Sequence, residues 1–174
     1  MMEFTQNATN LNALQSVHFK FQIRRAPSLE YFVQKAPIPG LALGHEMVPN
    51  PFVYIPKPGD HLDFSDLDIV FRVDEDLSNY LAIHNWMRAL GKPESYAEYA
   101  AIENIPSWTG QGIYSDLSLI LVSAKQNPIF EAVFEDSFPI GLSNLEFDVT
   151  QEDLKYLKAS ARFKYRDYKI NPTI

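Results

Sequence analysis

Three aspartates that lie close together are the side chains most able to do chemistry in this sequence. Asp63, Asp66 and Asp68 fall within one short acidic stretch. Carboxylates grouped in this way can bind a divalent cation or act in acid–base chemistry. A calcium loop also needs a glycine at its sixth position, and this stretch has none. The simpler interpretation is a solvent-exposed acidic face of a strand, so we predict no metal site.

The four histidines do not form a metal or catalytic motif. No two of His18, His45, His61 and His84 are two or four residues apart, and none lies in a zinc-protease motif. The chain has no cysteine, which excludes disulfides, thiolate ligands and a cysteine nucleophile. No residues combine as nucleophile, base and orienting group. We therefore expect neither an enzyme nor a cofactor.

The composition is typical of one globular domain that does not bind nucleic acid tightly. The chain has 174 residues, of which 46% are hydrophobic and 21% charged, so it can bury a core. Its net charge of -7 argues against a duplex-binding protein, which needs a basic surface. The start is polar, without the apolar segment of a secretory signal, and no run is long enough to span a membrane.

Alternating apolar and polar residues predict about eight strands. The clearest run is VHFKFQI at 17–23, followed by a second strand at 30–36 that could pair with it as a hairpin. Another predicted strand ends at Val73. In the last predicted strand, the residues from Leu157 to Tyr165 point alternately to two faces. Further strands are predicted at 116–125, 129–136 and, after a Pro-Ile-Gly turn, within 138–149.

One helix is predicted after the acidic run Asp74-Glu75-Asp76. Acids suit the positive end of a helix dipole, and Asp76 is the predicted cap. Gly91 is a typical helix end. His84 falls on the predicted apolar stripe, where a packed or interface histidine is expected rather than a ligand. The stripe consists of Leu77, Tyr80, Leu81, His84, Met87 and Leu90.

A proline-rich segment at 37–58 predicts a long loop. It holds six of the twelve prolines, and proline cannot donate to a β-ladder, so central strands are excluded there. Short extended pieces at 41–48 and 52–55 could lie at a sheet edge or in a projecting loop. Loops of this length usually serve function or partner binding.

These elements predict a single domain covering 1–174. The predicted fold is mainly β with one flanking α-helix, an antiparallel β-sandwich or partial barrel. Outside it lie a polar N-terminal arm at 1–14 and a connecting excursion at 93–116.

Charge is segregated along the chain. Residues 60–76 hold seven acids and one base, whereas residues 157–169 hold five bases and one acid. The two groups either form solvated faces or meet between copies as complementary surfaces. The second alternative makes Asp66 and Asp68 partners for basic residues of another subunit.

The order of four sequence features resembles the tail tube proteins of contractile-tailed bacteriophages. They are FQIRRAPSLEYFVQKAPIPG, then GDHLDFSDLDIVFRVDEDLSNYLAIHNWMRALG, then FEDSFPIGLSNLEFD, and finally ARFKYRDY. These proteins are similar in fold to the tube protein of type VI secretion systems and to tube-initiating baseplate proteins. The resemblance covers roughly residues 17–168 and rests on order and patterning rather than on invariant residues.

The resemblance implies a structural virion protein. Its sheets would join those of neighbours into a hexameric ring, and the rings would stack into a tube, inside a contractile sheath, that conducts the genome. The partners implied are other copies, sheath and baseplate proteins, and DNA that passes without specific binding. The chain would reside in the virion tail, after assembly in the host cytoplasm, and would not insert into a membrane.

Two alternatives stay open: a specialised ring that initiates or terminates the tube, and a small-ligand-binding β-barrel or enzyme that uses the three aspartates. The residues predicted at subunit interfaces are Pro37, Pro39, Met47, Phe52, Tyr54, Asp66, Asp68, His84, Trp86, Arg162, Lys164 and Arg166.

Overall fold

The structure is a computed structural model that describes residues 18–92, 99, 112–123, 127–147 and 156–172. The predicted N-terminal arm and most of the predicted excursion at 93–116 lie outside these residues. The described part of the chain forms nine strands and two helices. They are β1 (Phe19–Ile23), α1 (Pro27–Glu30), β2 (Val33–Lys35), β3 (Leu41–Val48), β4 (Ile55–Phe64), β5 (Leu67–Arg72), α2 (Ser78–Gly91), β6 (Ser115–Val122), β7 (Pro128–Leu142), β8 (Lys158–Lys164) and β9 (Asp167–Pro172).

Seven strands form one antiparallel sheet whose two halves share the long strand β7. The path runs β1-β6-β7-β8-β5-β2, and β9 also pairs with β7. The N-terminal part of β7 pairs with β6 and β9, and its C-terminal part pairs with β8. Asp136, with a φ of 52°, lies where the partners change. The sheet curls almost into a barrel, which confirms the predicted mainly β partial barrel with a flanking helix.

The core is built from every second residue of the paired strands. Leu67, Ile69 and Phe71 of β5 are buried, and β8 alternates between exposed and buried along its whole length. Antiparallel pairing places Ile69 opposite Ala161. Apolar burial is the main stabilising contribution to a fold, so the period-two pattern of the sequence predicted these inward faces correctly.

Helix α2 covers one side of the barrel. Its Ile83 and Trp86 are buried. The Trp86 ring lies 6.1 Å from the Phe163 ring, and its Nε1 donates to the Ile113 carbonyl at 3.1 Å. The Arg25 guanidinium lies 5.1 Å from the centre of the same indole, and burial lowers the pKa of Arg25. The helix is therefore anchored through one large side chain with a satisfied polar atom.

The start of α2 differs from the prediction. Asp76 is not the cap, because Leu77 occupies that position with a φ of 57° and no side-chain cap bond. Asp74 satisfies an amide of the first helical turn instead, because its Oδ1 accepts a hydrogen bond from the Asn79 amide at 3.3 Å. Asn79 is buried and its Nδ2 donates to the Arg72 carbonyl at 2.8 Å. The buried stripe is consequently shifted from the predicted one.

Two other local predictions are wrong. Strands β1 and β2 do not pair with each other, because β1 pairs with β6 and β2 pairs with β5, with α1 between them in sequence. The predicted turn at 139–141 is part of β7, which continues to Leu142. A register shift opposite β8 accommodates Pro139 and Gly141, as expected for a proline tolerated at an irregularity.

Strands β3 and β4 form a separate two-stranded hairpin, called here the projecting hairpin (residues 41–64). Its ladder runs from Leu41 opposite Phe64 to Val48 opposite Ile55. The predicted long loop is therefore two strands and a tip at 49–54.

Candidate assembly surface

The projecting hairpin can contain prolines because both of its strands have a free edge. Pro56 lies opposite Met47, and Pro58 lies opposite His45. A proline in a central strand would leave a neighbouring carbonyl without a donor, whereas an edge strand tolerates it. Proline excluded a central strand, as predicted, but not a two-stranded ribbon.

Two glycines let the strands of the hairpin approach closely at its midpoint. The register shifts between Leu43 and His45, where Gly44 lies near Gly59. A β-carbon added to Gly59 would lie 2.8 Å from the Gly44 carbonyl oxygen. Because the obstructing atoms are backbone, a side chain at position 59 would force the two strands apart.

One face of the hairpin is apolar and exposed. Alternation along β3 places Leu41, Leu43 and Met47 on the same side, and each is more than half exposed. Leu62, also exposed, lies opposite Leu43. The opposite side carries polar pairs such as Glu46 with its cross-strand neighbour. The exposed leucine and methionine side chains of this face indicate an interaction surface.

The tip of the hairpin extends this apolar surface. Phe52 is 96% exposed, and Val53 and Tyr54 are 62% and 68% exposed. The structure thus brings together Met47, Phe52 and Tyr54, three of the predicted interface residues. Sequence reasoning missed Leu41, Leu43 and Leu62, although their period-two spacing was a usable signal.

The acidic and basic groups that are segregated along the sequence pair with each other within one chain. Strands β5 and β8 are neighbours, and Asp68 lies directly opposite Arg162. Arg162 Nε donates to Asp68 Oδ1 at 2.8 Å, and Lys164 Nζ lies 2.6 Å from Asp66 Oδ1. Hydrogen bonding and attraction from Asp68 raise the pKa of Arg162. Asp68 and Arg162 are 94 residues apart in the chain, so the segregated charges meet between neighbouring strands of the same sheet. The placement of these four residues at a subunit interface stays a prediction.

Arg166 joins a second charged cluster, around Glu135 of β7. Its guanidinium lies 2.7 Å from Glu135 and 2.7 Å from Asp136, and Lys169 Nζ lies 2.7 Å from Glu135. Hydrogen bonds from Lys169 and then Arg166 lower the pKa of Glu135. The cluster ties the turn between β8 and β9 to β7.

The other predicted interface residues have mixed placements. Trp86 is 1% exposed, so in the single chain its side chain packs inside the subunit. Pro39 is also buried, Pro37 is half-buried, and His84 is exposed with Nδ1 3.4 Å from Asn85 Oδ1. Of these four residues only His84 is fully available to a partner, since α2 presents it away from the core.

The aspartates singled out in the sequence do not converge on a metal. Asp66 and Asp68 accept from basic side chains, and Asp63 Oδ1 lies 3.2 Å from His61 Nε2. Among the described residues, no group of three or more His, Cys, Asp or Glu side chains is placed to hold a metal ion. In the same part of the chain, no helix has both the length and the apolar character needed to cross a membrane.

The fold is shared with components of contractile injection systems. The chain aligns with a solved structure described as the PVC sheath/tube terminator in the extended state, with a TM-score of 0.59 and 11% identity, over 94% of this chain and 99% of the other. It also aligns with the tube terminating cap of the anti-feeding prophage, with a TM-score of 0.57 and 13% identity, over 99% and 100% of the two chains. These likenesses establish the fold.

The chain is also similar in sequence to a phage tail protein. The chain is 28% identical over 140 residues to the tail tube terminator protein of Enterobacteria phage T4, covering 79% of this chain and 75% of the relative. No family model matches the chain. The resemblance to the tail tube proteins and their related fold is therefore confirmed.

Proposed function

We propose that this protein is a structural ring subunit of a contractile phage tail, and that its ring lies at the end of the tail tube. The observation that carries the proposal is the exposed apolar face of the projecting hairpin. A surface of this kind is costly to leave in water, and it becomes useful when another copy or another tail protein covers it. The role needs no catalysis and no cofactor.

The barrel also offers strand edges for ring closure. In the described part of the sheet, β1 and β2 lie at the two ends of the strand path, and β9 pairs only with β7. Free edges of this type accept a strand from another chain. A head-to-tail contact that repeats by rotation generates a closed ring, and the resemblance to tube proteins makes a hexamer the expected number.

The position at the tube end is supported by the name of the sequence relative, which is a tube terminator. A repeating tube subunit is the second candidate, since the hairpin would serve equally well in contacts between stacked rings. In either role the partners are other copies, sheath and baseplate proteins, and the location is the virion tail after assembly in the host cytoplasm.

The acidic character of the chain suits a wall along which DNA passes. The 22 acidic side chains outnumber the 15 basic ones, which opposes the neutralisation of phosphates that supplies most non-specific affinity. On the outer face of β5 and β8, Arg162 and Lys164 are paired with aspartates, so these bases add little attraction for DNA. We therefore expect DNA to pass the ring without sequence-specific binding.

Negative-stain electron microscopy of the full-length protein tests the proposal. The protein is imaged alone and mixed with tail tubes from the same phage. We expect single rings, and rings attached to one end of the tubes. Long tubes made of this protein alone would favour the repeating subunit, and a protein that stays monomeric under both conditions would overturn both candidates.

A further inference from the structure

Two tyrosines hold the two legs of the projecting hairpin where it leaves the barrel. Tyr168 donates its hydroxyl to the Pro39 carbonyl at 3.1 Å, just before β3 begins. Tyr165 donates to the Ser65 carbonyl at 2.7 Å, just after β4 ends. Between these points the Ser65 amide donates to the Gly40 carbonyl at 3.1 Å. Both legs are thus bonded to each other and to the barrel.

The aromatic rings strengthen the same junction. Phe64, the last residue of β4, makes edge contacts with Tyr165 and Tyr168, with ring centres 5.9 Å apart in both cases. Phe134, fully buried in β7, contacts the same two tyrosines at 5.1 and 5.5 Å. Such pairs stabilise beyond simple burial, so the hairpin root is continuous with the core.

The tyrosines are themselves fixed by the turn between β8 and β9. The Arg166 amide donates to the Glu135 carbonyl at 3.0 Å, and the charged cluster around Glu135 spans the same turn. Burial raises the pKa of Tyr165 to about 12, so its hydroxyl remains a donor throughout the neutral range.

We propose that Tyr165 and Tyr168 are positioning residues that set the direction in which the hairpin leaves the barrel. Strands β3 and β4 pair only with each other in the described part of the chain, and most of their residues are exposed. The root of the projecting hairpin, where Gly40 and Ser65 join it to the barrel, is therefore the part of the hairpin that is held by both hydrogen bonds and buried rings. Without those contacts the barrel keeps its core, whereas the hairpin samples several directions.

The consequence for assembly rests on the proposed function, because a ring contact requires the apolar face to point the same way in every copy. The direction of the hairpin itself can be measured in the single subunit. Failure of the positioning proposal is therefore distinguishable from failure of the proposed function.

The test is a distance measurement between two spin labels. The chain has no cysteine, so Asn50→Cys at the hairpin tip and Gln22→Cys, at an exposed position of β1, can be labelled without background. The labelled protein is diluted with unlabelled protein to suppress distances between copies. The variants are Tyr168→Phe, Tyr165→Phe and both together, which keep the rings and remove the hydroxyls. Tyr114→Phe is the matched control, since the Tyr114 ring contacts Phe138.

We expect a narrow distance distribution in the parent and the control. In the double variant we expect its width to increase by about a factor of two or more, because the root loses both hydrogen bonds that tie it to β9 and to the β8–β9 turn, and a less constrained segment opens locally more often. Thermal unfolding of the barrel should change little. An unchanged distribution in a folded double variant would overturn the proposal, and Tyr168→Phe alone gives the same test if the double variant does not fold.

Hydrogen exchange on the unmodified protein provides a second measurement. The Ser65 amide, which closes the hairpin root, should exchange as slowly as the core amides of β5. Removing one hydroxyl should reduce its protection by roughly fivefold to tenfold, which corresponds to one hydrogen bond of ordinary strength. A Ser65 amide that exchanges rapidly in the unmodified protein contradicts the proposal.

Discussion

The barrel and the projecting hairpin use the same kinds of side chain with opposite outcomes. In the barrel, Phe163 is fully buried by its neighbours from β5, β7 and α2. In the hairpin, Phe52 is 96% exposed. Both regions carry apolar side chains at every second position over at least part of a strand, so this spacing alone does not distinguish a core from an interface. The difference is whether the same chain supplies a second layer.

The comparison predicts that substitutions in the barrel core lower stability, whereas substitutions in the hairpin weaken assembly. Phe163→Ala should lower the free energy of unfolding by about 3–5 kcal/mol, the usual cost of removing a buried phenylalanine. Phe52→Ala should change it by less than about 0.5 kcal/mol, yet it should weaken ring formation. Chemical denaturation measures the first quantity, and electron microscopy measures the second. A large loss of stability in Phe52→Ala would show that the tip packs against its own barrel.

The close approach of the hairpin strands gives the next largest effect. Gly59→Ala places a methyl group against the Gly44 backbone, and overpacking of this kind costs about 1–3 kcal/mol. Because the strain falls on the hairpin, hydrogen exchange of β3 and β4 should accelerate while that of β5 and β8 stays the same. The matched control is Gly91→Ala, which meets no atom within 4 Å and should be neutral or slightly stabilising. Equal effects of the two substitutions would contradict the close approach.

A smaller effect is expected from the ion pair between Asp68 and Arg162. Arg162→Glu places two acids opposite each other, which is destabilising on a sheet, so the melting temperature should fall modestly. The double variant with Asp68→Lys restores an opposite-charge pair and should recover it. Ring formation should be the same in all three proteins, since the pair is internal. Assembly that fails in Arg162→Glu and returns in the double variant, with no change in melting temperature, would favour pairing between copies.

The smallest effect is a pH dependence at Glu135. Its pKa is lowered by Lys169 and Arg166, so the ion pairs stabilise the fold above the ordinary carboxyl pKa of about 4.3 and are lost as pH falls through the lowered value. Glu135→Gln should therefore lower the melting temperature near neutral pH, and its difference from the unmodified protein should shrink in acid. A difference that grows as the solution is acidified would have the wrong sign for a lowered pKa.

The sequence predicted the strands and the helix whose formation depends mainly on residues that are near each other in the chain. The strand ending near Val73 and the strand from Leu157 were predicted with their inward faces, because period two depends on neighbouring residues. The helix near 77–90 was also predicted, and Tyr80, Met87 and Leu90 of its predicted stripe pack against the core. The stripe did not include the fully buried residues of the helix. The start of the helix depends on Asp74, which accepts from the Asn79 amide, and on the Asn79 side chain, which donates to the last residue of β5.

The features that the sequence did not predict depend on contacts between residues that are distant in the chain. Asp68 and Arg162 are far apart in the chain, so their pairing could not be deduced from charge segregation. The pairing of β1 with β6 rather than β2 is of the same kind. In the hairpin, the extended piece predicted at 41–48 is strand β3. The prolines concealed β4, because the rule that excludes proline from central strands does not exclude free edges. The tyrosines at its root gave no signal beyond their aromatic character.

Removal of the whole hairpin tests the central claim most directly. Gly40 and Ser65 are already joined by a backbone hydrogen bond of 3.1 Å, so residues 41–64 can be replaced by Asn-Gly, a turn of about two residues that keeps this bond. We predict that the shortened chain folds, with the circular dichroism and cooperative unfolding of a β-barrel, and forms no rings alone or on tail tubes. Rings formed by the shortened chain at the same concentration as the full-length protein would contradict the account.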